Sequence, residues 1–196
     1  MSPPKIIRWS GLAAVLAGVL LLIADSVEYL GRTATTGIYV FVMGLFLLTA
    51  LLFSLGLVGL YASQAETAGL LGLLGFLAAF IGTTLVAGAY WAQAFFAPAV
   101  AEITPQFLYS QQPGLLNFGF IMSFSLFAFG WLLFGVATLR ARVHPRWAAV
   151  LLMVGAVLLV LPLPIASAIF DVAVAWLGFS LFIEKGEVVQ PPSTSV

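Results

Sequence analysis

The sequence predicts an all-α, polytopic integral membrane protein: a bundle of six transmembrane helices with both termini cytoplasmic. Three observations predict it. Of 196 residues, 63% are apolar and 7% charged, whereas a soluble domain carries about 25% charged residues. The apolar residues gather into runs near the roughly 20 residues that cross a hydrocarbon core. The few basic residues segregate to one side when those runs are threaded alternately through a bilayer. A soluble enzyme, a nucleic-acid binder and a disordered chain are excluded, since their compositions lie on the opposite side of the average. Zero cysteines leave no disulfide, thiolate nucleophile or cysteine-ligated metal.

The spans follow in order as residues 7–29, 36–62, 69–97, 115–139, 147–163 and 165–183, within a single transmembrane domain over 1–187. Leu161-Pro162-Leu163-Pro164 separates the last two. Each proline lacks an amide donor and disfavours helix in the residue before it, so a break is expected there. Charge placement tests the count independently. Six spans put Lys5, Arg8, Arg140, Arg142, Arg146 and Lys185 on one side and Arg32 alone on the other. By the positive-inside rule the first side is cytoplasmic, which implies a plasma (cytoplasmic) membrane location. The N-terminal run reads as a retained span, because Asp25-Ser26-Val27-Glu28 offers no small-x-small cleavage site.

Connections are short. Ser63-Gln64-Ala65-Glu66 has the capping-box pattern, which places a helix start there. Thr104-Pro105 reads as a cap and first-turn proline, opening a short surface helix over residues 105–109. The polar, proline-bearing residues 188–196 are expected to be disordered.

Within the spans, small and polar residues share stripes. Gly11, Ala14, Gly18, Asp25, Glu28 and Arg32 mark one helix face. Gly75, Ala79, Gly82, Ala89 and Gln93 mark another, and Ser167, Asp171, Ala175 and Gly178 a third. Helical spacing predicts that these three faces meet. Asp25, Glu28, Gln93, Asn117 and Asp171 then lie in the outer half, with Arg32 and Glu102 beside them as a lid. They form a candidate ligand-binding pocket. Asp171, some six residues inside its span, is the central candidate, because an intramembrane acid is costly unless it is paired or binds a proton. The functional reading is a proton or cation site, or an anchor for a ligand's polar head. The structural reading is a buried hydrogen bond or an ion pair, for instance with Arg32. Tyr90 and Trp91 read as interface anchors, and the phenylalanines surrounding span four as packing and lipid contacts.

No catalytic or metal-ligating set is legible, and no cofactor is implied. The single histidine, His144, stands in the Arg-rich loop, and a serine–histidine site would need it to meet a buried serine. The sequence thus favours a non-enzymatic membrane protein whose partners are the bilayer and either a small amphiphile, lipid or cation or the other subunits of a membrane complex. A small secondary transporter using Asp171 is the second class. A membrane-embedded enzyme acting on a lipid-like substrate is the third.

Overall fold

The structure, a computed structural model, describes residues 3–30, 36–104, 114–159 and 164–183. Every element among the described residues is helical: α1 (Pro3–Leu30), α2 (Thr36–Trp91), a π-helical turn (Ala92–Phe96), α3 (Ala97–Ile103), α4 (Gly114–Ala141), α5 (Arg146–Leu158) and α6 (Pro164–Ile183). Three stretches are long and apolar enough to cross a membrane: Lys5–Glu28, Gly37–Val100 and Gly114–Ala141. Arg146–Leu158 and Ser167–Ile183 are apolar but shorter.

At 56 residues, α2 would span roughly 84 Å if straight, nearly three times a hydrocarbon core. It does not run straight. Gly69 has φ 56° and ψ −150°, a region essentially confined to glycine, and there the helix folds back on itself. Tyr61 stacks on Phe76 at 4.5 Å and Phe46 on Tyr90 at 4.8 Å, so residues 36–68 and 70–91 form an antiparallel hairpin. The capping-box expectation at Ser63 is overturned: the first arm continues through Ala68, and the Ser63 hydroxyl donates back to the Leu60 carbonyl at 2.8 Å. A positive-φ glycine, and not a side-chain cap, makes this turn.

The second arm also outruns its expected end. Residues 98–103, read from the sequence as loop, continue the helix to Ile103 through the π-turn. Pro98 accounts for the turn. Its ring would collide with the Ala94 carbonyl of a regular α-helix, and the wider π-turn moves that carbonyl aside. The proposed 105–109 helix, the 161–164 break up to Leu163 and the 188–196 tail lie outside the described residues.

Neighbouring helices run antiparallel and touch through small residues. On α1 and α6, a Cβ added to Gly18 would stand 2.9 Å from the Ala175 amide nitrogen, and one on Gly178 2.7 Å from that of Val15. The stripes of α1 and α6 therefore meet as expected. The third stripe does not join them: Gly75 and Gly82 press on the Phe134 and Phe127 backbones of α4, and Gly130 of α4 presses back on Ala79. The first arm of α2 takes the place beside α1 instead, with Gly56 on Ala14 and Gly59 on Ser10. Spacing identifies a face made for close packing but not its partner, and α4 and the first arm carry competing glycines. At the centre, Phe53, Phe127, Trp131, Phe134 and Phe170 form an aromatic core, in which the Trp131 indole donates to Thr83 Oγ1 at 3.1 Å. Phe118, Phe124 and Phe129 of α4 are exposed.

Because α1 and α6 meet backbone to backbone, Gly18→Val should cost about 1–3 kcal/mol by overpacking. Gly88→Val, where an added Cβ meets nothing within 4 Å, should change stability by less than about 0.5 kcal/mol. Unfolding midpoints in detergent would check both.

Candidate functional site

The α1–α6 contact sets the first cluster. With the two backbones held together at Gly18 and Ala175, Asp25, two turns further along α1, comes opposite Asp171 on antiparallel α6. The two carboxyl groups face each other within hydrogen-bonding reach. Ser167, one turn before Asp171, donates its hydroxyl to the Asp25 carboxylate. Asp171 is fully buried. Both of its carboxyl oxygens, and Oδ2 of Asp25, are shut off from solvent with no hydrogen-bond donor among the described residues.

Around this pair the α2 hairpin contributes polar aromatics. Tyr90 stacks on Phe46 and lies within electrostatic reach of Asp25, Glu28 and Asp171. Tyr39 lies near Glu28 and donates to Gln93 Oε1 at 3.4 Å, a long bond across the hairpin. Tyr90 is thus part of the site, whereas Trp91 is 55% exposed. The π-turn carries Gln93, which re-aims a side chain that a regular helix would turn elsewhere.

Of the sequence candidates, the structure brings together Asp25, Asp171, Glu28 and Gln93. Asn117 and Glu102 are exposed and make no hydrogen bond or ion pair with the carboxyl pair among the described residues. Asn117 stands in the first turn of α4, whose backbone packs on the second arm of α2 and which meets α6 further along, where Phe127 and Trp131 reach Phe170. Glu102 rides on α3, which carries it past the turn. Arg32 lies outside the described residues. Near Asn117, α2 and α4 splay to leave an apolar cleft of about 550 Å³ lined by Leu85, Ala89, Leu115, Gly119 and Phe120 among others. None of the residues at the carboxyl pair lines it.

A second cluster, at the opposite end, was not read from the sequence. α4 stops where Arg142 adopts a left-handed φ of 57°, and the Pro145 carbonyl accepts the Ala148 and Ala149 amides that open α5. This tight link turns His144 inward, 5% exposed. Its Nε2 is 2.9 Å from Ser63 Oγ on α2 and its Nδ1 3.3 Å from Ser180 Oγ on α6. Beside it, buried Gln64 donates to Thr138 Oγ1 at 2.9 Å. The legible signal was the gathering of Ser63, Gln64, Thr138 and Ser180 at the helix ends nearest His144. Serine-activating machinery needs a third group, normally an acid, to orient the imidazole. Here the second ring nitrogen meets another serine, so the ring ties α2 to α6.

Burial pushes the His144 imidazole down to about 4, and a hydrogen bond with the Leu60 backbone offsets this only in part. The ring in the unfolded chain takes up a proton below about 6.5. The stability it contributes is therefore complete above that pH and is lost as pH falls from about 6.5 towards 4, a change of up to a few kcal/mol. His144→Gln should flatten this acid limb, as read from unfolding midpoints between pH 4 and 7.

No protein-family model, no curated protein and no solved structure matches the chain.

Proposed function

We propose that this chain is a six-span membrane protein, both termini cytoplasmic, that binds a proton between Asp25 and Asp171 in the extracytoplasmic half of the bilayer. The observation that carries this reading is the carboxyl pair: two acids face to face, one of them fully buried, with Ser167 as the one described donor. Two bare carboxylates in a low-dielectric interior repel each other and lack the water that would solvate them. One shared proton turns one carboxyl into the donor that the other lacks. A calcium-like cation wants six to eight oxygen ligands, more than two carboxyl groups and one hydroxyl supply. Glu28, exposed and near Tyr39 and Tyr90, marks the route by which protons arrive from the adjoining end. On the other side the aromatic core around Trp131 closes the path.

The topology rests on charge. Lys5 and Arg8 at the start of α1, and Arg140, Arg142 and Arg146 at the α4–α5 link, stand at one end, since Arg8 lies over the Phe182 ring of α6 and His144 reaches Ser180. Asp25 and Asp171 stand towards the other. The α2 hairpin supplies two crossings, and α5 and α6 supply one each, bringing the total to six. The absence of native cysteine makes single-cysteine labelling direct. Cysteines placed at residues 5 and 185 should react only with permeant reagent in intact cells, and labelling of residue 185 from outside would remove the sixth span.

The proton reading is tested by infrared spectroscopy of the purified protein. A protonated-carboxyl C=O band should be present at neutral pH and disappear in both Asp171→Asn and Asp25→Asn. Asp171→Asn should leave stability within about 1 kcal/mol of wild type, because its carboxamide can donate to Asp25 as the proton did. A neutral-pH spectrum with both carboxyls ionised would overturn the proposal.

Proton-linked transport is the second reading, favoured by an exposed acid, Glu28, on one side of the pair and the aromatic core on the other. Proton binding that biases two arrangements of the helices would serve it, with Asp171 as the coupling carboxyl. The carboxyl pair supports binding of an amphiphile's polar head less well, since the cleft sized for an apolar chain opens elsewhere.

A further inference from the structure

At the end opposite the carboxyl pair, α1 and α6 part to leave a groove of about 460 Å³ lined by Lys5, Arg8, Trp9, Leu12 and Phe182. Its chemistry is ordered along the helix. Lys5 and Arg8, three residues apart, share a face of α1. Trp9 follows, then Leu12, one turn beyond Arg8 on the same face. Read from the end of the bundle inward, the groove therefore passes from two cations through an indole to an aliphatic side chain. The guanidinium of Arg8 is held over the Phe182 ring, 4.8 Å from its centroid, which fixes its position without neutralising it. Neither Lys5 nor Arg8 has an ion-pair partner among the described residues. Trp9 is 60% exposed, so the groove opens sideways.

An anionic phospholipid presents the complementary order: a phosphate at the surface, a glycerol–ester layer beneath it, and an acyl chain below. Arg and Lys donate to phosphate oxygens, an indole suits the ester layer, and Leu12 offers the chain an apolar wall. A soluble phosphate would meet only the first part of this surface. We propose that the Lys5–Arg8–Trp9 groove is a binding site for an anionic phospholipid of the cytoplasmic leaflet. This inference rests on the chain being embedded in a bilayer with its N-terminus cytoplasmic, and not on the protonation of Asp25 and Asp171.

The test is native mass spectrometry of the full chain extracted in mild detergent and exchanged into equimolar phosphatidylglycerol and phosphatidylcholine. One phosphatidylglycerol should be retained in preference to phosphatidylcholine, and the preference should fall with rising salt. The Lys5→Gln/Arg8→Gln pair should lose the preference by roughly 30-fold, the expectation for two interfacial cations. Lys5→Arg/Arg8→Lys, which keeps both charges, should preserve it and control for folding. Arg140→Gln/Arg142→Gln, at the same end but outside the groove, should preserve it as well. Equal retention of the two lipids by the wild type overturns the site, as does a loss of equal size in the Arg140/Arg142 pair. Displacement of the lipid by millimolar glycerol phosphate would overturn the lipid assignment in favour of an anion alone.

Discussion

The antiparallel contact between α1 and α6 is the interaction on which the rest depends. In hydrocarbon the backbone satisfies its own hydrogen bonds within each helix, and no hydrophobic force draws apolar helices together. What remains is dispersion between surfaces that approach closely, and glycine allows the closest approach. Gly11 and Gly18 of α1 and Gly178 of α6 bring the two backbones together. At one end of that contact, Asp25 faces Asp171; at the other, Arg8 lies over Phe182. Both candidate sites are thus ends of one helix pair, and their spacing is fixed by its length.

The polar groups divide into two kinds of bond. The His144 cluster is neutral and well supplied with donors, so it fastens α2, the α4–α5 link and α6 without placing charge in a buried place. The carboxyl pair is the reverse: acceptors face acceptors, and Ser167 is the one described donor. Proteins seldom keep such an arrangement for stability, since apolar residues of similar volume would serve as well or better. On the proposed reading one proton completes the carboxyl pair, whereas the His144 cluster is complete as it stands.

Much of the helical architecture was legible in the sequence, because long apolar runs and segregated charge leave few alternatives. The α1 and α6 stripes were legible from helical spacing, but within the expected pocket nothing singled out Asp25 as the neighbour of Asp171, for which Arg32 was the ion-pair partner considered. Partner choice for the third stripe was not legible. Gly75, Ala79 and Gly82 advertise a close contact, but the glycines of α4 and of the first arm of α2 do so equally, and spacing within one helix carries no information about its neighbour. Asn117 stands apart for this reason, since it follows α4, and Glu102 because the helix runs on through the π-turn to α3, past the position of Gln93. The Ser63 box failed differently: a local capping pattern lost to a glycine six residues on. His144 was hidden because its partners are about 80 and 36 residues away in the chain, a separation no local pattern spans.

The imidazole between Ser63 and Ser180 has a consequence for how α2 and α6 are held. A serine hydroxyl has one hydrogen to give. Ser63 can give it to the Leu60 carbonyl, and Ser180 to that of Leu177. A neutral ring donates from one nitrogen and accepts at the other, so one serine keeps its carbonyl while the other must turn its hydrogen towards the ring. The tautomer therefore decides which of the two helices gives up its internal bond, and the clamp is lopsided by construction. A second proton on the ring would let both serines turn back to their own helices, and the two sides would become alike.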